Sequence, residues 1–174
     1  MEKEKISPEE LFTKIAPELR AGKAVVFPVS GSSMLPAVAG GRDFVKAELC
    51  DTAKLRRLDV VVVRTDSGRY IMHRITKITK FGFYTCGDWR LEGDGFFRFD
   101  QVVAQITEFR RKGKSIDLQS AFWRGIFGSC QSGDLSTKNA DFFPKKSPAA
   151  IDIYQKIFYN NNRAVLPHKC GSKR

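Results

Sequence analysis

Between residues 24 and 109, apolar and polar residues alternate in short runs of the kind that form β-strands. The runs are rich in β-branched and aromatic residues, and glycine, aspartate or charged residues separate them. No ten-residue helical pattern interrupts them, which predicts a mainly β (α+β) fold with a bent or barrel-like antiparallel sheet. The predicted strands are AVVFPV (24–29), DFVKAEL (43–49), LDVVVVR (58–64), YIMHRITKIT (70–79), GFYTCG (82–87) and QVVAQITEF (101–109), with hairpin turns at DSG (66–68) and KFG (80–82).

A helix is predicted before the first strand. Ser7 is in position to cap it, Pro8 suits its first turn, and Glu10 would complete a capping box. Gly22 is a suitable end, while Pro17 predicts a kink or a shorter helix. One face of this helix is apolar and carries Leu11, Phe12, Ile15 and Leu19.

The pattern changes again after residue 118. A short apolar cluster, SAFWRGIFG, is followed by a polar stretch at 129–147 that predicts a loop. The segment SPAAIDIYQKIFYNNN then predicts a second amphipathic helix, with Ile151, Tyr154, Ile157 and Phe158 on one face. Three parts are therefore expected: an N-terminal helix (1–22), a β domain (23–118) and a C-terminal extension of loop and helix (119–174).

The chain is strongly basic, with 30 Lys and Arg against 19 Asp and Glu and a net charge of +11. Such a charge favours anionic partners, either nucleic acid or an acidic membrane surface. The basic clusters at 54–57, 110–114 and the C-terminus are short and lack interleaved aromatic residues, so they also fit a solvated surface. We predict no specific nucleic-acid partner and retain peripheral contact with an anionic membrane as a hypothesis.

The cysteines and the N-terminus indicate the compartment. Cys50, Cys86, Cys130 and Cys170 are widely spaced without a C-x-x-C motif, which predicts reduced thiols, no metal site and no disulfide framework. The start, MEKEKISPEE, is too charged for a signal peptide. Residues 24–41 carry no charge, but their prolines, glycines and serines argue against a spanning helix. A cytoplasmic protein is expected.

The candidate chemistry begins with the histidines, of which there are only two. His168 lies in the basic tail and is expected to be inert, whereas His73 lies inside a predicted strand. A neutral imidazole, with an ordinary pKa near 6.5, can accept a proton from a serine hydroxyl. The segment PVSGSSMLPAV (28–38) supplies the serines, in a turn that could also expose backbone N–H groups as an oxyanion hole.

A carboxylate on the second ring nitrogen would orient the imidazole. The glycine-punctuated loop CGDWRLEGDG follows the strand that is predicted to pair with that of His73. This loop can return towards the imidazole and offers Asp88, Glu92 and Asp94. Each of these features alone is also typical of ordinary turns.

In this order, the motifs SGSSMLP, LDVVVV, YIMHRI and CGDWRLEGD resemble those of the signal peptidase I family. That family carries Gly-x-Ser-Met-x-Pro around its nucleophile, which matches Gly31, Ser33, Met34 and Pro36. Its general base precedes an arginine and an aliphatic residue, and a histidine base is typical of the archaeal and endoplasmic-reticulum enzymes. The resemblance covers about residues 25–108.

The resemblance implies that Ser33 is the nucleophile, His73 the general base and Asp94 the residue that orients His73. It implies Asp88 as a supporting acid, although the relative roles of the two aspartates stay open. The oxyanion hole would rest on the Ser33 N–H. Gly31, Ser32 and Met34 are the expected supporting residues, with Ser30 a further hydroxyl near the hole.

The chain also departs from the family pattern. Leu58 replaces a glycine expected before Asp59, and Gly31 stands where some relatives have a second serine. Trp89 replaces an asparagine in the acid motif. No membrane anchor is recognised in the sequence, so a variant without an anchor is expected.

Three functional hypotheses follow. The first is a serine endopeptidase that needs no metal or cofactor and cleaves extended, leader-like peptides through an acyl-enzyme. The second is a self-cleaving regulator of the LexA type, which the histidine base and the short segment before the sheet oppose; Ala21-Gly22 resembles the cleavage dipeptide of those proteins. The third is a non-catalytic peptide-binding module on the same fold.

Overall fold

The protein is described by a computed structural model that defines residues 6–35, 37–90, 92–118 and 120. One helix, α1 (Pro8–Arg20), is followed by eight strands. They are β1 (Val25–Pro28), β2 (Phe44–Glu48), β3 (Val60–Arg64), β4 (Tyr70–Thr79), β5 (Gly82–Cys86), β6 (Gly95–Phe97), β7 (Val102–Arg111) and β8 (Lys114–Asp117). Short 3₁₀ helices lie at Thr52–Lys54 and Phe99–Gln101. The apolar cluster after 120, the 129–147 loop and the second helix lie outside the described residues.

Helix α1 begins and ends near the predicted residues. The Ser7 hydroxyl accepts a hydrogen bond from the Glu10 N–H (3.1 Å), which satisfies one of the free donors of the first turn. Pro17 neither ends nor shortens the helix, which continues to Arg20, and Gly22 follows with a φ of +75°. The face that packs on the sheet buries Phe12, Ile15 and Leu19.

All strand pairs are antiparallel, in the order β1-β2-β7-β3-β4-β5-β6, with β8 beside the end of β7. The prediction of a mainly β fold is confirmed. The barrel-like alternative is wrong for the described residues, because β1 and β6 remain the two open edges of the sheet. One extra residue on β7 opposite β2, another on β7 opposite β3 and a third on β4 opposite β5 shift the register and bend the sheet.

The four-valine run of β3 is explained by its central position, with both faces buried. Val60 and Val62 face the larger core, which includes α1, while Val61 and Val63 face a smaller apolar cluster. His73 on β4 stands opposite Val61, so its side chain lies on the face of the smaller cluster. No helix in the described part of the chain is both long and apolar enough to cross a membrane.

Candidate active site

The serine-rich segment leaves β1 as a tight turn and presents its two central serines differently. Gly31 has a φ of +83°, a conformation that glycine adopts readily. Ser32 is exposed, Ser33 is half-buried, and the Met34 side chain is only 2% exposed in the larger core. Met34 therefore anchors the turn, and the Ser33 side chain lies at the boundary between core and solvent.

A buried ion cluster holds the end of the segment that leads from this turn to β2. Asp43, whose side chain is fully buried, binds Arg42 and Arg111 and accepts the Ala39 N–H (2.9 Å). Burial by itself would raise the pKa of Asp43, but the Arg111 and Arg42 hydrogen bonds hold it below its ordinary value. The turn that carries Ser33 is thus fixed to β7 through Arg111.

Ser33, His73 and Asp94 form one hydrogen-bonded chain. Ser33 Oγ lies 2.9 Å from His73 Nε2, and His73 Nδ1 lies 2.5 Å from Asp94 Oδ2. The His73 side chain is 4% exposed and the Asp94 side chain 5% exposed. The two ring nitrogens of His73 thus face the predicted nucleophile and the predicted orienting acid, with little access for bulk water.

A threonine absent from the sequence prediction completes this chain. Thr85, buried on β5, donates its hydroxyl to Asp94 Oδ2 (2.8 Å), and its backbone O accepts the Asp94 N–H (2.9 Å). The exposed Arg90 guanidinium lies 3.6 Å from Asp94 Oδ1. Both carboxylate oxygens of Asp94 are therefore held by neighbouring side chains. Thr85 was not predicted, because a threonine in a strand gives no sign in the sequence that it will hold a carboxylate.

The second predicted acid, Asp88, has a different place. Its two oxygens each lie 2.7 Å from the Arg74 guanidinium, in a bidentate pair that is nearly inaccessible to solvent. Arg74 also donates to the Leu58 carbonyl (2.9 Å). Since Arg74 follows His73 on β4, its side chain points to the opposite face of the sheet. Asp88 thus fixes the loop between β5 and β6, here called the acid loop, to β4, and Asp94 is the acid on the imidazole.

Leu58, which replaces the glycine expected from the resemblance, has a φ of +77°. A branched side chain in this left-handed region costs about 1–2 kcal/mol. Partial packing of Leu58 against the larger core offsets part of that cost. Leu58 therefore keeps the backbone conformation that glycine would favour, and its carbonyl accepts a hydrogen bond from Arg74.

The acid loop and the turn that carries Ser33 touch each other through backbone atoms. Trp89 N–H donates to the Ser33 carbonyl (2.9 Å), and Arg90 N–H donates to the Gly87 carbonyl (3.0 Å). A Cβ added to Gly87 would stand 2.6 Å from Ser33 O and 2.9 Å from His73 Nε2. Only glycine allows the two loops to approach this closely.

Gly87→Ala should therefore lower the reactivity of the Ser33 hydroxyl towards an electrophile. The new methyl group displaces Ser33 from His73. A misplacement of about 1 Å lowers a reaction rate by about 10²-fold. The measurement is the rate at which a fluorophosphonate labels Ser33. Gly93→Ala in the same loop is the matched control, because its Cβ meets Thr85 O at 3.3 Å and needs only a small adjustment. An equal loss in both variants would contradict the specific role of Gly87.

Cys86, just before this loop, is buried at the site and is not a competing nucleophile. Its sulfur lies 3.4 Å from the carbonyl oxygens of both Gly87 and Glu92. Burial, together with the negative charges of Asp94 and Asp88, raises the pKa of the Cys86 thiol to about 11. Since the thiolate is the reactive form, Cys86 is inert near neutral pH.

The backbone N–H groups of Ser32 and Ser33 have no acceptor among the described residues. The Ser33 N–H is adjacent to its own Oγ, where an oxyanion donor is needed. The Ser32 and Ser30 side chains are exposed and make no hydrogen bond with a described residue. The described residues contain no group of three His, Cys, Asp or Glu side chains that could hold a metal.

Comparison of the chain with protein-family models gives no match, and comparison with curated proteins gives none either. The geometry of Ser33, His73 and Asp94 is therefore the basis for assigning a function.

Proposed function

We propose that the protein is a serine endopeptidase in which Ser33 is the nucleophile, His73 the general acid–base and Asp94 its orienting partner. One observation carries the proposal, the continuous chain Ser33 Oγ–His73 Nε2 (2.9 Å) and His73 Nδ1–Asp94 Oδ2 (2.5 Å). An activated serine needs this relation among nucleophile, base and orienting group.

The reaction would run in two halves. His73 Nε2 takes the Ser33 hydroxyl proton as Oγ attacks the carbonyl carbon of the substrate, and the Ser33 N–H donates to the resulting oxyanion. His73 then gives this proton to the leaving amine, the C–N bond breaks, and an ester to Ser33 remains. Water attacks the ester, again with His73 as base, and the acid product leaves as Oγ regains its proton. Asp94 stabilises the imidazolium throughout.

An extended peptide is the substrate class that best suits the site. β1 leads directly into the nucleophile turn and pairs, among the described strands, only with β2. Its free edge can pair with an incoming extended strand, as in other peptide-binding sheets. The family resemblance adds a preference for small residues before the scissile bond. Pro28 has no N–H, so the last residue of β1 cannot donate to such a peptide.

The proposal is tested by incubating the full chain with leader-like peptides that carry Ala-x-Ala, and with a fluorophosphonate. We expect cleavage, and a single phosphonylation at Ser33 identified by mass spectrometry. Ser33→Ala and His73→Ala should each abolish cleavage, whereas Ser32→Ala, with its exposed side chain, should retain most of it. Full cleavage by Ser33→Ala would overturn the proposal.

The same experiment separates the alternatives. A folded protein that no serine-directed probe labels would be a non-catalytic peptide-binding module. Truncation on incubation alone at raised pH would identify a self-cleaving regulator; the dipeptide Ala21-Gly22, however, forms the end of α1. Cytoplasmic location and peripheral contact with anionic membrane through the basic clusters stay predictions, to be checked by fractionation and by vesicle binding.

A further inference from the structure

The largest exposed side chain on the acid loop is Trp89, which is 65% exposed. No described residue gives its ring an aromatic, cationic or hydrogen-bonding partner. Tryptophan is well buried on average. An indole that is exposed to solvent beside the proposed catalytic serine is therefore available to contact a bound substrate.

The backbone beneath this indole is fixed on three sides. Trp89 N–H is bonded to the Ser33 carbonyl, the preceding Asp88 is held by both its oxygens, and Arg90 N–H closes a turn on Gly87. Because this backbone is already fixed, only the two side-chain torsions of the indole lose freedom when a ligand packs against it. Trp89 thus presents an apolar surface on a fixed backbone. Its own N–H is hydrogen-bonded to the carbonyl of Ser33, the proposed nucleophile.

The proton path indicates which part of a substrate meets this surface. His73 Nε2 must protonate the leaving amine, so the residues after the scissile bond pass beside the imidazole. Gly87 borders that nitrogen, since a Cβ there would lie 2.9 Å from it, and Trp89 follows two residues later. The leaving-group side of the substrate therefore runs along the loop that presents the indole.

We infer that Trp89 is a specificity-determining residue that packs against a large apolar or aromatic side chain in the first substrate position after the scissile bond. The inference rests on the proposed function. Packing of one such side chain on an indole raises kcat/KM by about fivefold to tenfold. The contact acts only on acylation, because the leaving peptide has departed before the ester is hydrolysed.

The test uses peptides with the same Ala-x-Ala segment and with Phe, Leu or Ala directly after the cleaved bond. Wild type should prefer Phe and Leu, and Trp89→Ala should lose about fivefold to tenfold in kcat/KM on these and less than twofold on Ala. The rates of fluorophosphonate labelling and of acyl-enzyme hydrolysis should not change. Phe81→Ala removes a ring that is 71% exposed at the far end of β5 and is the matched control.

The outcomes separate the two proposals. Equal losses on all three peptides, or slower fluorophosphonate labelling in Trp89→Ala, would show a structural role and overturn the inference. Unchanged selectivity in Trp89→Ala would also overturn it while leaving the peptidase assignment intact. If wild type cleaves none of the peptides and Ser33 is not labelled, the proposed function itself fails, and the inference fails with it.

Discussion

Asp94→Asn should lower the kcat for peptide cleavage by about 10⁴-fold, the size of loss seen when other histidine–carboxylate pairs are broken in this way. The amide keeps the shape of the side chain but carries no charge to stabilise the imidazolium. It can also turn its NH₂ group towards His73 Nδ1 and impose the wrong tautomer. Steady-state cleavage of a leader-like peptide at saturating concentration measures the loss.

Two controls make this result specific to catalysis. The thermal unfolding curve of Asp94→Asn should stay close to that of wild type, because Thr85 can still hydrogen-bond the amide. Asp100→Asn makes the same chemical change at an exposed acid, paired with Arg98, and should leave kcat unchanged. If Asp94→Asn keeps more than a tenth of the wild-type kcat, Asp94 does not orient the base.

Asp88→Asn is expected to show the opposite pattern, with its main effect on stability. It leaves the Arg74 guanidinium, 1% exposed, without its carboxylate. Removing one partner of a buried pair costs about 3–5 kcal/mol, a large share of the usual free energy of unfolding. Urea denaturation, with the free energy of unfolding extrapolated to water, is the measurement.

The double variant Arg74→Met/Asp88→Asn is the matched control. It removes the uncompensated charge and fills the space with an apolar chain, so part of the lost stability should return. The return should be incomplete, since the Leu58 carbonyl loses its Arg74 donor. A loss below about 1 kcal/mol in Asp88→Asn would mean that water reaches the guanidinium, as it does in surface pairs.

The sequence predicted six of the eight described strands, because their β-branched and aromatic residues form runs that turn residues bound. β4 has the predicted bounds, because its apolar positions, turn residues and length agree. The sequence does not predict β6 and β8, because these strands of three and four residues show no clear alternation of apolar and polar side chains. Pro17 does not shorten α1 as the sequence predicts, because burial of Leu19 beyond it stabilises the last turn.

The sequence by itself predicted the candidate nucleophile and base, since the family resemblance of its ordered motifs implies Ser33 and His73. It left the choice between Asp88 and Asp94 open and gave no sign of Thr85.

The deciding contacts join residues 40 and 21 positions apart in the chain, so they depend on strand register and not on local pattern. The pairing of β4 with β5 places Arg74 opposite Cys86. Asp88, which binds Arg74, and Asp94, which binds His73, therefore lie on opposite faces of the sheet. Only the folded sheet could decide this, because one residue of register moves a side chain to the opposite side.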